Sequence, residues 1–307
     1  MTFERFAAAW LPEVESAFEA LLPPAARPKR CTRRCVRMFP GGKRLRPLLA
    51  LLGAEAMGGD PAAVLRAAAG IECLHTYSLV HDDLPCMDDD DLRRGRPTCH
   101  KVHGEAMALL AGDALLTLAF EAVAAAGGAA VAALARGAGS VGMVGGQVED
   151  LAAEGADLGC GDEALGRVRW IHDHKTGTLI TASLFVGAHA AAGDALPAAV
   201  VASLQRYGES LGRAFQIADD CLDLTGTAAE LGKNPLADVA LAKLTWPALI
   251  GLEPSLATAR ALADAARAEA VVLTDLAREW RALPHGRLDG ARALLQDVAS
   301  FAVERRR

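Results

Sequence analysis

Leu211-Gly212-Arg213-Ala214-Phe215-Gln216-Ile217-Ala218-Asp219-Asp220-Cys221-Leu222-Asp223-Leu224 sets three carboxylates into an otherwise largely apolar run. At roughly 100° per residue, Asp219 and Asp223 lie only about 40° apart on a helix, and Gln216 falls one turn earlier on the same face. The flanking Leu211, Phe215, Ile217, Leu222 and Leu224 are core-type residues, so this helix belongs in an interior. Carboxylates carried there need partners, because burying an unpaired charge is costly. The stretch therefore predicts a helical interior with a cation-binding wall inside it.

The rest of the chain agrees with that interior. It has 307 residues, 52% of them hydrophobic, enough to build a large core and to exclude wholesale disorder. Ala and Leu dominate and β-branched runs are short, which favours helix almost throughout. Phe6, Trp10, Val14, Phe18 and Leu21 recur at helical spacing, and Pro23-Pro24 ends that first helix. Further helices are expected over 45–57, 61–83, 104–126, 129–151, 162–190, 195–224, 238–252, 255–283 and 286–306. Strand-like alternation, repeats and low-complexity linkers are missing from the pattern. The expected architecture is a single all-α domain over 1–307, of roughly ten helices, with core helices apolar nearly all round.

Net charge is −6, which argues against nucleic acid as the main partner. Locally, basic residues crowd 27–46 and 93–101 while acidic ones crowd 82–91, a separation suited to bringing metal ions and polyanions together. The seven Cys (31, 35, 73, 86, 99, 160 and 221) show no paired CxxC spacing. Their scatter reads as reduced thiols in a cytoplasmic protein. The N-terminus has no cationic region followed by an apolar core. The longest apolar region, 106–135, is interrupted by Asp113, Glu121 and Gly127-Gly128, short of the ~20 apolar residues of a bilayer span. A soluble protein with no membrane anchor is expected.

A second acidic cluster, Asp82-Asp83-Leu84-Pro85-Cys86-Met87-Asp88-Asp89-Asp90-Asp91, changes the weight of the first. Two carboxylates ~4 Å apart repel by about 4 kcal/mol at an effective dielectric of ~20. That is large beside a net stability of ~5–15 kcal/mol. Alone, this run would be a solvated helix end. Paired with the later cluster, it suits magnesium, which takes one or two carboxylates per ion and completes its octahedron with water and phosphate oxygens. On an unbroken helix Asp82 and Asp88 would point about 240° apart. Pro85 disfavours helix at Leu84 and clashes with the His81 carbonyl, so a local break is expected to swing Asp88 back beside Asp82.

Basic groups surround these clusters. Gly41-Gly42-Lys43-Arg44-Leu45-Arg46-Pro47 leads into a helix; the glycines permit close backbone approach, and the helix start adds positive potential for an anion. The spacing is not that of a P-loop. His75 lies two turns before Asp82 on nearly the same face, and Arg93-Arg94-Gly95-Arg96-Pro97-Thr98 follows the acidic run directly. Each of these signals has a bland alternative, a solvated basic loop or a core histidine. Their combination does not.

Taken with Gly145-Gly146-Gln147, His174-Lys175-Thr176-Gly177 and Phe215-Gln216-x-x-Asp219-Asp220-x-x-Asp223, these segments resemble, in order and over roughly 40–250, the trans-isoprenyl diphosphate synthase family, and within it the bacterial-type farnesyl diphosphate synthases. The resemblance implies an all-α fold around a deep central cavity, as a homodimer. It also implies a Mg²⁺-dependent condensation of isopentenyl diphosphate with an allylic diphosphate. Asp82 and Asp88, with Asp83 nearby, match the first motif's magnesium ligands; Asp219, supported by Asp220 and Asp223, matches the second's. Lys43, Arg46, His75 and Arg94 match the isopentenyl diphosphate site. Arg93, Lys175, Thr176, Gln216, Lys233 and Lys243 match groups around the allylic diphosphate or its cation. The catalytic set so implied is Asp82, Asp219, Lys175, Thr176 and Gln216. Two stretches depart from the usual pattern: Arg37-Met38-Phe39-Pro40 before the glycines, and Ala242-Lys243-Leu244-Thr245-Trp246-Pro247, which keeps the lysine.

Product length should follow cavity depth below Asp82. Ser78 is one turn, about 6 Å, below it on nearly the same side. Tyr77 is turned about 140° aside by helical geometry, so spacing alone does not make it a cavity residue. In the resembling enzymes an aromatic here, with the longer first motif, accompanies a C15 product. The alternatives are a geranyl or geranylgeranyl diphosphate synthase, a class I terpene cyclase, or a non-catalytic partner subunit. A cyclase would have no use for an isopentenyl diphosphate site, and a partner subunit would be expected to have lost one Asp motif.

Overall fold

The computed structural model describes residues 1–22, 42–154, 161–225 and 244–304. Helix α1 (Phe3–Leu21) begins where the Thr2 hydroxyl accepts a hydrogen bond from the Arg5 amide, and it buries Phe3, Phe6, Val14, Phe18 and Leu21 along one stripe. Helix α2 (Leu45–Ala56) has no polar face, and nearly every side chain is buried. A 3₁₀ turn (Pro61–Val64), capped by Asp60, feeds helix α3 (Leu65–Asp82). A short hairpin follows, with β1 (Leu92–Arg93) antiparallel to β2 (Arg96–Pro97). Its turn residues Arg94 and Gly95 have φ of 53° and 73°, the positive-φ pair that matches hairpin twist. This hairpin is the one strand element among the described residues, and alternation could not reveal it because each strand is two residues long.

Helices α4 (Cys99–His103), α5 (Glu105–Ala124), α6 (Gly128–Ala138) and α7 (Met143–Ala153) come next. The expected helix over 129–151 is thus two helices. Ala-rich apolar periodicity runs through the junction, but Gly142 packs so tightly that a Cβ there would stand 2.4 Å from the carbonyls of Arg136 and Gly137. The expected helix over 162–190 is likewise interrupted: α8 (Asp162–Ile171) passes through a π-helical turn (His172–Gly177) into α9 (Thr178–Ala192). Helix α10 (Ala198–Thr225) carries the second acidic motif, and α11 (Trp246–Ile250), α12 (Leu252–Trp280) and α13 (Asp289–Glu304) complete the fold.

The all-α expectation holds. Helices α2 and α9 form the centre, and their backbones touch: a Cβ on Gly53 would meet the Leu184 carbonyl at 2.3 Å, and one on Gly187 the Ala50 carbonyl at 1.8 Å. Helix α5 lies along α3, α12 along α10, and α13 closes the base, where the buried Tyr207 hydroxyl donates to the Leu295 carbonyl at 2.7 Å. A smaller cluster of Val168, Ile217, Cys221, Trp246 and Ala259 packs beneath the second acidic motif. By length and hydropathy alone, α5 and the segment Gly128–Ala153 could cross a bilayer. In the fold α5 covers α3 with one face and leaves Leu109 and Leu110 exposed on the other.

Candidate active site

Helix α3 ends at Asp82, where Pro85 stops it, and the chain folds back so that the Asp88 amide donates to the Asp82 carbonyl at 2.9 Å. The expected return of Asp88 to Asp82 is therefore a backbone turn. Burial holds the Asp82 carboxyl above the usual carboxylate range; Lys175 opposes this and neighbouring Asp88 adds to it. Asp83 is placed differently from its expected role near a metal. It is fully buried against Arg93, whose Nε donates to it at 2.5 Å, and burial pushes its carboxyl up to about 7. Arg93, expected beside the allylic diphosphate, also holds Asp90 at 3.0 Å.

From Asp82 a line of hydrogen bonds crosses the interior. Gln147 Nε2 on α7 donates to Asp82 Oδ1 at 2.5 Å. One turn along α7, Asp150 accepts from Lys175 Nζ at 2.6 Å. The next residue, Thr176, donates to Gln216 Oε1 at 2.8 Å, and Gln216 Nε2 donates to Asp220 Oδ1 at 3.1 Å. The two acidic motifs are joined through α7, the π-helical turn and α10. The π turn, a feature frequent at functional sites, aims Lys175 and Thr176 inward. It is clamped to α10 by Arg213, which grips Asp173 with two bonds of 2.7 Å, and by Gly212, where a Cβ would stand 2.7 Å from the Gly177 Cα. Gly146 makes the matching contact on α7, a Cβ there falling 2.1 Å from the Lys175 amide. Asp150, Lys175, Thr176, Gln216, Asp220 and Thr245 line a cavity of about 140 Å³.

The basic groups gather on the other side. Arg46 donates to His75 Nε2 at 3.3 Å, and burial with Arg46 and Arg94 alongside holds His75 neutral, well below its usual range. Burial lowers the Arg46 guanidinium, while the nearby carboxylates Glu72 and Asp219 oppose that shift. Arg94, carried by the hairpin turn, folds onto Gly42, whose φ of +104° and missing Cβ make the approach possible. Lys43 reaches over the Phe301 ring at 5.8 Å. Arg44 is withdrawn from any ligand: Glu15 and Glu72 bind it at 2.7 and 2.6 Å.

Tyr77 is buried in the wall between α3 and α5, its ring edge-on to His81 at 5.6 Å. His81 Nε2 donates to the Leu109 carbonyl at 2.9 Å and occupies the space above Gly112. Burial and the charge of Asp82 both raise the Tyr77 hydroxyl, so Tyr77 stands near the acidic motif despite its helical offset. Ser78 is buried, its hydroxyl donating to the His75 carbonyl at 2.9 Å. Asp223 is half-buried on α10 beyond Asp219. Lys233, Lys243 and the stretch 37–40 lie outside the described residues.

Sequence reasoning gave no role to Gln147, Asp150 or His172. Gly145-Gly146 ahead of Gln147 was the available signal, since paired glycines in a helix mark close backbone approach. Among the described residues no three His, Cys, Asp or Glu side chains form a ready metal cage. Magnesium needs none, since one or two carboxylates suffice when phosphate oxygens and water supply the rest. The crowding of Asp82 and Asp88 fits an ion that arrives with a polyanion.

Comparison with known proteins bears on the family. A family model described as Polyprenyl synthetase matches residues 28–276. Farnesyl diphosphate synthase of Escherichia coli (strain K12) is 46% identical over 256 residues, 79% of this chain and 82% of that protein. Geranylgeranyl pyrophosphate synthase 12, chloroplastic, of Arabidopsis thaliana is 46% identical over 242 residues, 76% of this chain but only 65% of that relative's length. A polyprenyl synthase from Caulobacter crescentus, solved with calcium and isoprenyl diphosphate, superposes with a TM-score of 0.82 at 28% identity, covering 99% of this chain and 97% of that one. With its helical cavity, its paired acidic motifs and these matches, the chain belongs to the polyprenyl synthetase family of prenyltransferase enzymes.

Proposed function

We propose that the protein is a magnesium-dependent prenyltransferase that joins isopentenyl diphosphate head to tail with dimethylallyl and then geranyl diphosphate, making (E,E)-farnesyl diphosphate. The observation that carries the reading is the set of hydrogen bonds Gln147–Asp82, Lys175–Asp150, Thr176–Gln216 and Gln216–Asp220, linked through α7 and the π-helical turn. It runs from the first acidic motif to the cavity that Asp220 of the second motif lines. A divalent ion with isoprenyl diphosphate in the Caulobacter crescentus structure supports the same pairing.

Asp82, Asp88, Asp219 and Asp223 are the residues that would hold magnesium, which when bound neutralises the charge of a departing diphosphate. Lys175 orients the allylic diphosphate. Arg46, Arg94, Lys43 and neutral His75 bind isopentenyl diphosphate and present its double bond to the allylic carbon. As the allylic C–O bond breaks, that double bond forms the new C–C bond, and a proton then leaves to the released diphosphate. The Thr176 and Gln216 dipoles face the developing cation, and the apolar walls exclude water. Tyr77 is the proposed floor that stops growth at fifteen carbons. Relatives named as geranylgeranyl synthases favour a second reading, a C20 product. Mass analysis of products from isopentenyl diphosphate with dimethylallyl or geranyl diphosphate separates them: C15 supports the farnesyl reading and C20 overturns it.

The active form is proposed to be a homodimer. Leu109 and Leu110, adjacent on α5, are 47% and 54% exposed, apolar side chains that a second copy would bury. Sedimentation should give twice the chain mass, reduced to one chain in Leu110→Glu. A wild-type monomer at micromolar concentration contradicts the proposal.

A further inference from the structure

Asp220 belongs to the second acidic motif, yet its carboxylate is already engaged. Oδ1 accepts from Gln216 Nε2 at 3.1 Å, and Oδ2 accepts from the Trp246 amide at 3.0 Å. His172 Nε2 stands 3.2 Å from the same Oδ2 and is stacked on the Trp246 ring. The side chain is 7% exposed. Two hydrogen bonds and a close imidazole on a buried carboxylate leave little of it for a metal ion, whereas Asp219 on the same turn is only half-buried. A carboxylate can only accept hydrogen bonds, and that restriction has a consequence at Gln216. The amide must turn its NH₂ to Asp220 and its carbonyl oxygen the other way, towards Thr176, whose hydroxyl donates to it. Gln216 and Thr176 both line the cavity.

We infer that Asp220 is a positioning residue rather than a magnesium ligand: it fixes the orientation of the Gln216 amide so that the negative end of its dipole faces the site where the allylic cation forms. The inference rests on the proposed prenyl transfer. Reversing the amide would turn its positive end to the cation. His172 and Trp246 hold Asp220 in place, so the packing beneath α10 sets the polarity of a group in the cavity.

Asp220→Asn keeps the shape but can donate as well as accept, which frees Gln216 to turn over. The expected result is a fall in kcat of about 100-fold, of the size expected when one preorganised dipole is lost. Both KM values and the magnesium concentration for half-maximal rate should stay within about threefold. Gln216→Met should show a similar loss, and Asp220→Asn should add less than about twofold on that background, because residues acting through one another are not additive. Calorimetric binding of magnesium with inorganic pyrophosphate, which needs no turnover, should be unchanged in Asp220→Asn. A tenfold rise in half-saturating magnesium, weakened pyrophosphate binding, or the full loss persisting on the Gln216→Met background overturns the inference. Wild-type kcat in Gln216→Met also overturns it, even if Asp220→Asn fails to fold. No prenyl transfer by the wild-type protein discards the proposed function itself, an outcome distinct from all of these.

Discussion

Asp82→Ala and Asp219→Ala each abolish prenyl transfer, lowering kcat by about three orders of magnitude or more, because each removes a carboxylate from a wall that must neutralise a departing diphosphate. Neither change should unfold the protein. Asp82 is held above its usual range by burial and by its like-charged neighbour Asp88, so the native fold gains little from its charge. Circular dichroism melts within a few degrees of wild type, together with a radiolabel transfer assay, separate lost chemistry from lost structure. Turnover near the wild-type rate in either variant removes the magnesium reading.

Tyr77→Ala should move the main product from C15 to C20 or longer. The ring is pinned edge-on by His81, which is itself fastened to the Leu109 carbonyl and seated over Gly112. An anchored aromatic makes a firm stop. Taking it away opens room on the α5 side without touching Asp82, so consumption of geranyl diphosphate should stay within about threefold while the chain-length distribution shifts. An unchanged distribution from a folded variant shows that growth is limited elsewhere.

Much of this was legible in the residues because it rests on local rules. The apolar faces of α1 and α10 follow from spacing, and the fold-back of Asp88 follows from what Pro85 does to the end of a helix. The interruptions were not legible in the same way. The π turn at His172–Gly177 sits inside a run whose helical pattern is continuous, and what sets it there includes Arg213 on Asp173, forty positions away in the chain. Gln147 and Asp150 were hidden for the same reason: their partners Asp82 and Lys175 lie 65 and 25 positions distant. The family resemblance put Asp83 near the magnesium ligands, but its burial against Arg93 is a tertiary fact, set by the hairpin that returns Arg93 to the helix end. Nor does the sequence show that Arg44, between Lys43 and Arg46, is held by Glu15 and Glu72.

The central claim is that both acidic motifs serve a single diphosphate through a divalent ion, and release of inorganic diphosphate from geranyl and isopentenyl diphosphates by the wild-type protein tests it most directly. Release should require both substrates, stop with EDTA, and return when magnesium is added in excess. Release that continues undiminished in EDTA, or none under any metal supply, contradicts the account.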